Sequence, residues 1–240
     1  MSHAYLLGAC AAKWAPEDIG TEYRNSFNWG EGRRLPDESK IVHIVCDRAL
    51  RGTGLPSVRS LGERVGIVLG GCFGGLASYE RFRSGLGNTG ELQPLAFSFS
   101  LPCIPASVLS LYYGITGPVA SLSTVVECGG TSTLSTSIGL LQSGLCDHVV
   151  VGTWYFPSDT ARQCTGLTQA MAAIAILSGR FGQSNGSTLN IDSATTGAPS
   201  YSGVPGITDS LLDFLSFRSS PDTQGTYPLN SVLATSMRAN

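Results

Sequence analysis

The sequence predicts an α/β fold, because strand-like runs alternate with segments of helical periodicity. The strand-like runs are residues 65–69, 122–126, 148–151 and 171–177. Between the second and third runs, Leu134, Ile138 and Leu141 recur at i, i+4 and i+7, the spacing of one helical face. The last run is apolar throughout, as expected for a strand covered on both faces. This order of elements is typical of a layered α/β sheet.

The beginning of the chain is predicted to hold one strand and one helix. Residues 4–11 form a short apolar run that suits a first strand, and residues 17–37 are polar and aromatic, as in a loop. The helix that follows has an apolar face formed by Ile41, Ile44, Val45 and Leu50. It is predicted to stop at Gly52. His43 lies inside this helix, and we interpret it as structural.

A glycine-rich turn follows the strand at residues 65–69. Its glycines are Gly70, Gly71, Gly74 and Gly75. Glycines after a strand can cradle a pyrophosphate, or they can allow close packing of a strand and a helix. The spacing is GGxxGG and not GxGxxG, which favours the packing interpretation.

Weaker signals mark the remainder of the chain. Residues 80–94 suggest a glycine-punctuated loop, and a short apolar helix is predicted after Pro105, because proline suits a first helical turn. Residues 189–191 suit a short strand. We divide the chain into residues 1–200 and a tail, residues 201–240. The tail is predicted to contain one amphipathic helix, with an apolar face formed by Ile207, Leu211, Phe214 and Leu215.

The composition excludes several classes of function. Only 13% of the residues are charged, and a surface poor in charge suggests that much of it faces another protein. The net charge is −2 with no basic run, so nucleic acid is not an expected partner. No apolar run reaches about 18 residues, so no membrane span is expected. The seven cysteines form no CxxC pair and no signal peptide precedes them, which indicates a reducing cytoplasm. We expect no cofactor and no metal.

The turn between residues 122–126 and the following helix is the candidate site. It reads Glu127-Cys128-Gly129-Gly130 and leads from a strand into a helix N-terminus. Backbone N–H groups at such a position favour anions, so a nucleophile or an oxyanion could be held there.

The order of blocks around this turn resembles the active-site region of β-ketoacyl synthases. A Gly-Pro pair, a strand, the turn and a helix are followed by QSGLCDHVVVG, similar to the family's SGxxD phrase and its buried strand. GERVGIVLGGCFGGL, SFSLPCIPASVLSLYYGITGP and QAMAAIAILSG resemble other family blocks, in the right order, over residues 4–195. The resemblance implies the N-terminal half of a thiolase-like fold, layered α-β-α around a mixed five-stranded sheet, with the C-terminal half largely missing.

The resemblance also implies that the catalytic set is incomplete. A ketosynthase needs a cysteine nucleophile and two histidines, and the family's second half supplies both histidines. None of His3, His43 and His148 lies in either histidine motif. Counted back from the end of the helix, Glu127 takes the place of the cysteine. The alternative is that Cys128 is a shifted nucleophile, whose pKa the helix would lower and Glu127 would raise.

Within the family, the class that fits is the chain-length factor, a ketosynthase-like subunit without the cysteine. The resemblance implies a complete ketosynthase as partner, in a heterodimer or heterotetramer of a type II polyketide or fatty-acid-like system, most like aryl polyene systems. An acyl carrier protein would take part indirectly. The expected dimer seam is Leu122, Thr124, Val125 and Val126, paired antiparallel with the partner's equivalent strand. The expected wall of the acyl tunnel is Phe97, Phe99, Leu101 and Val108, although ordinary core packing also explains these side chains.

Two other functions stay open at this point. Cys128 could serve an acyltransferase or thioesterase, or the chain could be a standalone acyl-binding module. Each of these predicts acylation or acyl binding by the chain alone.

Overall fold

The computed structural model describes residues 4–28, 30–88, 93–124, 129–179, 187–190 and 227–228. Its strands are β1 (Ala4–Trp14), β2 (Val65–Cys72), β3 (Val119–Thr124), β4 (His148–Tyr155), β5 (Ala170–Ser178), β6 (Ser187–Asn190) and β7 (Tyr227–Pro228). Its helices are α1 (Pro16–Ser26), α2 (Asp37–Arg51), α3 (Val58–Leu61), α4 (Leu76–Asn88), α5 (Pro94–Phe99), α6 (Ile104–Tyr113), α7 (Gly129–Gln142) and α8 (Asp159–Thr165), with short 3₁₀ turns at Glu31–Arg34 and Gly62–Arg64. The predicted helix in the tail lies outside the described residues, so the tail's structure and the division at residue 200 stay predictions.

The strands form one mixed sheet in the order β3-β2-β4-β5-β1-β6-β7. β2 pairs in parallel with β3 and β4, whereas β5 is antiparallel to both β4 and β1. Strands β1 to β4 therefore all point in one direction. The five longest strands are those that the sequence predicts, so the predicted mixed five-stranded sheet is confirmed, with β6 and β7 extending it beyond β1.

Helices cover both faces of this sheet. On one face α2 packs against β5 and β1, with α1 and α6 beside it, and on the other face α7 packs against β2 and β4. Val150 belongs to the apolar cluster under α2, whereas its neighbours Val149 and Val151 belong to the cluster under α7. This alternation is that of a strand buried on both sides, and it confirms the predicted α-β-α layers.

Helix α2 follows the sequence prediction closely. Acidic residues occupy its first turn and basic residues its last, which complements the helix dipole, and the helix ends at Gly52 as predicted. His43 is fully buried on it. A 2.9 Å hydrogen bond joins His43 Nδ1 and the hydroxyl of Tyr23, and the imidazole stacks on Phe27 with 4.1 Å between the ring centres. Burial lowers the pKa of His43 to about 4, so it is a neutral structural side chain at physiological pH.

The loop predicted at residues 17–37 is wrong, because it contains most of α1. Pro16 occupies the first turn, Glu17 and Asp18 follow it, and Ile19 and Tyr23 supply a buried stripe at i, i+4. Two apolar residues are too few to produce a periodic pattern, so the sequence does not predict this helix.

The loop predicted at residues 80–94 is also wrong, because α4 extends to Asn88. Gly85 and Gly87 disfavour a helix by propensity, but packing of α4 against α5 overrides this preference. Phe97 and Phe99, which alternate with serines in the sequence, lie on the helix α5 rather than in an extended segment.

Candidate functional site

The carboxyl ends of β1, β2, β3 and β4 meet at one edge of the sheet, because these strands are parallel to one another. In α/β proteins this edge is where ligands are bound. The predicted turn leaves β3 at this edge, and α7 begins at Gly129. Glu127 and Cys128, together with Val125 and Val126 of the expected seam, lie outside the described residues. Their roles stay predictions.

Helix α7 is seated on the sheet by a narrow apolar stripe. Leu134 and Ile138 are buried in one cluster with side chains of β2 and β4. The helix is otherwise rich in hydroxyl groups, and two of them bond to the helix itself: Ser137 Oγ donates to the carbonyl of Thr133 at 2.7 Å, and Thr136 Oγ1 donates to that of Ser132 at 2.8 Å. Side chains that are satisfied within the helix leave its position to be set by packing and by its ends.

An ion pair fixes the C-terminal end of α7. The Arg64 guanidinium donates to both carboxylate oxygens of Asp147, at 3.0 and 2.5 Å, and to the carbonyl of Gly144 at 3.3 Å. The N–H of Asp147 in turn donates to the carbonyl of Arg64. A two-point arginine–carboxylate pair is specific in geometry. It ties the amino ends of β2 and β4 to the turn after α7, opposite the candidate site.

The glycine-rich turn after β2 serves close packing. A Cβ atom on Gly71 would lie 2.6 Å from Cζ2 of Trp154, and one on Gly75 would lie 2.5 Å from the carbonyl oxygen of Ser100. Gly74 and Phe73 both have positive φ angles, 53° and 64°. A non-glycine residue in that region is strained and marks a backbone held by its surroundings. The packing interpretation of this turn is therefore the better one, and the turn lies at the same edge as the candidate site.

The four expected tunnel residues occupy two different environments. Phe97 and Leu101 are 55% and 50% exposed, whereas Val108 is buried and Phe99 is half-buried. The ring of Phe97 contacts that of Phe82 on α4, with 5.2 Å between the ring centres. These side chains do not converge on a closed channel within this chain. Their place in an acyl tunnel stays a prediction.

Large exposed apolar side chains are concentrated in one stretch of the chain. Among the described residues they are Tyr79, Leu86, Leu95, Phe97, Leu101, Leu111, Val119 and Leu145. All but Leu145 belong to the stretch from α4 to β3, whose exposed part we call the α4–β3 surface. This stretch ends on β3, the terminal strand of the sheet. Within the expected seam, Leu122 is half-buried and Thr124 ends the strand.

A polar cleft of about 790 Å³ opens at the same edge of the sheet, next to β1 and β4. Its charged lining residues are Glu17, Glu80, Arg81, Asp159 and Arg162. Glu80 accepts hydrogen bonds from Ser158 Oγ at 3.1 Å and from the N–H groups of Asp159 at 2.9 Å and Thr160 at 3.1 Å.

Glu80 thereby fixes the start of α8. Burial acts to raise the pKa of its carboxyl group, but the hydrogen bonds from Thr160, Asp159 and Ser158 outweigh it and lower the pKa. Neither a cysteine nor a histidine lines this cleft. The cleft therefore lacks the cysteine and the histidines on which ketosynthase chemistry depends.

The remaining titratable groups offer no catalytic pair among the described residues. Burial raises the pKa of Cys46, which lies inside the core, and the exposed Cys103 and Cys164 have no histidine bonded to them. His148 opens β4 and is half-buried, and His3 lies outside the described residues. In the described part of the chain no group of three His, Cys, Asp or Glu side chains could hold a metal ion. None of the described helices is both long and apolar enough to cross a membrane.

Comparisons with known proteins agree with the fold. The family model described as "Beta-ketoacyl synthase, N-terminal domain" matches residues 22–176. No curated protein matches the chain.

Solved structures match with high confidence but low identity. The first is AntDE:AntF, a type II PKS acyl-carrier protein in complex with its ketosynthase bound to the hexaketide: 18% identity, TM-score 0.63, covering 75% of this chain and 63% of that one. The second is the ishigamide ketosynthase/chain length factor: 13% identity, TM-score 0.56, covering 73% and 62%. The third is the ketosynthase ApeO in complex with its chain length factor ApeC from Xenorhabdus doucetiae: 13% identity, TM-score 0.56, covering 74% and 79%. The chain thus spans less than two thirds of the length of the first two, and identities this low show the fold alone.

Proposed function

Because the chain belongs to the β-ketoacyl synthase family through its N-terminal domain, we propose that it is a chain-length factor. It forms no carbon–carbon bond itself. It pairs with a complete, active ketosynthase and helps to bound the pocket in which the acyl chain grows. The observation that carries this proposal is the α4–β3 surface, with its seven exposed large apolar side chains in the elements that lead to the terminal strand of the sheet.

The terminal strand supports pairing with a partner. Among the described strands β3 has one neighbour, β2. The outer edge of a terminal strand is a template for a further strand. Antiparallel addition of the partner's equivalent strand beside Leu122 and Thr124 would extend the sheet from one subunit into the other.

The composition of the flanking elements supports the same partner surface. α5, α6 and β3 contain no charged residue at all. Leu111 on α6 is 75% exposed, and α6 packs against β3, where Val119 is also exposed. Exposed apolar side chains in elements without charge are typical of interaction sites.

The chemistry of the chain supports a role without catalysis. Glu127 stands where the family's cysteine is expected, and a carboxylate cannot carry an acyl chain as a thioester. Two of the similar structures are titled as complexes of a ketosynthase with a chain length factor. Phe97 and Leu101 are exposed on the α4–β3 surface, so a partner seated there would enclose them, together with Phe99 and Val108, in a shared pocket.

Co-purification with the ketosynthase of the same system tests the pairing. We expect the wild-type chain to co-elute with that ketosynthase in size-exclusion chromatography. Leu111→Glu and Val119→Glu should abolish co-elution, because each places a charge on the α4–β3 surface. Leu145→Glu is the matched control, since the exposure of Leu145 lies between those of Leu111 and Val119 but Leu145 is outside the α4–β3 surface. Co-elution that survives both Leu111→Glu and Val119→Glu, or that Leu145→Glu abolishes, contradicts the proposed interface.

An acyltransferase or thioesterase that uses Cys128 is the second candidate, because Cys128 directly precedes the first residue of α7 and a helix N-terminus lowers a thiol pKa. It predicts a mass increase after incubation of the chain with an acyl-carrier thioester, lost in Cys128→Ser and kept in Cys164→Ser. If the chain is instead a chain-length factor, the wild type, Cys128→Ser and Cys164→Ser should all remain unacylated.

A further inference from the structure

Helix α4 is held on the body of the molecule without a buried apolar stripe. Over residues 76–87 its buried positions are Ser78 and Gly85, whereas its apolar side chains are half-buried or exposed. Most helices of globular proteins are held by an apolar face that packs on the core. The position of α4 therefore depends on polar contacts with its neighbours, in addition to its packing against α5.

One of these polar contacts is made with a buried carboxyl group on α2. Glu38 lies in the first turn of α2 and is 3% exposed, and Ser78 on α4 is 1% exposed. Ser78 Oγ donates a 3.3 Å hydrogen bond to Oε1 of Glu38. A glutamate is almost never buried in this way unless its charge is paired or lost, because a charge in the interior is costly. The contact between α2 and α4 is therefore sensitive to the charge of Glu38.

The groups around Glu38 favour its neutral form. Burial raises the pKa of its carboxyl group, and Asp37 on the same helix raises it as well, although Asp37 is itself paired with Lys40 at 2.7 Å. Arg81 on α4, the hydrogen bond from Ser78 and a backbone hydrogen bond lower the pKa, without reversing the effect of burial. Arg81 is exposed, so its charge is shared with water. The buried carboxyl group therefore takes up a proton more readily than an exposed one does.

We propose that Glu38 is a latch that holds α4 against α2 while its carboxyl group is protonated and releases α4 when that group ionises. In the neutral form the carboxyl group accepts the hydrogen bond from Ser78 without placing a charge in the interior. In the ionised form the cost of the buried charge is relieved when α4 moves and water reaches the carboxylate. The latch is a property of this chain. Its consequence for partner binding rests on the proposed function, because α4 carries Tyr79 and Leu86 of the α4–β3 surface.

The direction of the pH effect follows from the raised pKa of Glu38. Between the ordinary pKa of a glutamate and the raised one, the folded chain binds a proton that the unfolded chain has lost. The stabilisation by the latch is therefore complete below the ordinary pKa and is lost as the pH rises through the pKa of the folded state. Glu80, which joins α4 to α8, has a lowered pKa and stays ionised throughout this range. The pH effect on α4 is therefore specific to Glu38.

Hydrogen exchange of the full chain between about pH 5 and about pH 9 tests the latch. After correction for the intrinsic exchange rate, protection of the α4 amides should fall as the pH rises, about tenfold for each unit by which the pKa of Glu38 is raised. Glu38→Gln keeps the acceptor but cannot ionise, so protection of α4 should stay constant. Asp47→Asn is the matched control, because Asp47 is a carboxylate on the same helix that pairs with Arg51, and it should behave as the wild type. The same pH dependence in wild type and Glu38→Gln overturns the latch.

A second variant tests the contact without changing Glu38. Ser78→Ala removes the donor and keeps a small buried side chain, so exchange of the α4 amides should become several-fold faster at about pH 5, where the carboxyl group is neutral. Ser84→Ala is the control, since Ser84 is exposed on the same helix and should leave the exchange unchanged. Unchanged exchange in Ser78→Ala overturns the latch as well, because the hydrogen bond would then contribute nothing to the position of α4.

Affinity for the cognate ketosynthase separates the latch from the proposed function. The wild type should bind progressively more weakly than Glu38→Gln as the pH rises, because the ionised latch releases the side chains on α4. Taking the ratio of the two affinities at each pH removes any pH effect on the ketosynthase itself. A constant ratio overturns the consequence of the latch for partner binding. Failure of both proteins to bind at every pH overturns the proposed function instead and does not alter the result of the exchange experiment.

Discussion

Leu109 and Leu111 are two residues apart on α6, yet they lie in opposite environments. Leu109 is fully buried against the core under α2, whereas Leu111 is three-quarters exposed beside the terminal strand. The outer face of α2, by contrast, carries charged pairs, Arg48 with Glu22 of α1 and Arg51 with Asp47. The two helices cover the same face of the sheet, but α6 contains no charged residue. This difference is what the proposed partner surface requires of α6.

The largest expected effect is the difference in stability between alanine variants of the two leucines. Leu109→Ala should lower the free energy of unfolding by about 3 kcal/mol, because it leaves a cavity in a packed core. Leu111→Ala should change it by less than about 0.5 kcal/mol, as for other surface positions. Urea denaturation of the two purified variants measures both values. Equal losses would break the comparison, since α6 would then have no distinct outer face.

The next effect concerns the buried cluster around His43. Its pKa is lowered to about 4 in the folded chain from 6.5, so below pH 6.5 the unfolded chain binds a proton that the folded chain does not. Stability should therefore fall between pH 6.5 and pH 4, by up to about 3 kcal/mol from this group. Tyr23, Phe27, Tyr112 and Tyr113 are the rings that surround it.

His43→Gln provides the check. The variant should be less stable at pH 7 but should lose less stability than the wild type between pH 6.5 and pH 4. Thermal unfolding across this range measures the difference in slope. An identical slope in both proteins would place the acid sensitivity elsewhere in the molecule.

The contrast between charged and apolar outer faces also explains which elements could be predicted from the sequence. β2 and β5 are buried on both faces and are recognisable as continuous apolar runs. α2 has a charged outer face, so its apolar period is visible. α4 was missed because Tyr79 and Leu86 are apolar and exposed, which removes the contrast between faces on which periodicity depends. A helix with exposed apolar side chains is therefore harder to detect than a helix with a charged outer face.

The candidate site was predictable in part, and for similar reasons. The turn after residues 122–126 follows from the strand–helix pattern, and the family follows from the order of blocks. The link between Glu80 and α8 could not be predicted, because it joins residues 78 or more positions apart and α8 has no apolar period. The contact of Trp154 with Gly71 is equally invisible in the sequence, since it depends on the register of β2 against β4.

An intermediate effect is expected at Glu80, whose hydrogen bonds join α4 to the start of α8. Glu80→Gln should lower the free energy of unfolding by about 1–2 kcal/mol, because it weakens charge-assisted hydrogen bonds to Ser158, Asp159 and Thr160. Because the pKa of Glu80 is lowered, this contribution is present at neutral pH and is lost as the pH falls through the pKa of the folded state.

In Glu80→Gln, hydrogen exchange should become faster at the amides of Asp159 and Thr160. Glu63→Gln, at an exposed carboxylate on the 3₁₀ turn before β2, is the control. Unchanged exchange in Glu80→Gln would mean that α8 is held by its packing alone.

The smallest effect on folding is expected on β3 itself. Val119→Thr keeps the shape of the side chain and should change the free energy of unfolding by less than about 0.5 kcal/mol, because Val119 is exposed in the free chain. It should nevertheless reduce self-association of the chain in the absence of its partner, since exposed apolar side chains beside a terminal strand promote edge-to-edge pairing. Sedimentation velocity over a range of concentrations measures this association. Leu145→Ser removes an exposed apolar side chain from the segment between α7 and β4, outside the α4–β3 surface, so it should leave the association unchanged. If Leu145→Ser reduces association and Val119→Thr does not, the region that attracts other chains is not the terminal strand, and the contrast between the two sides of α6 loses its functional meaning.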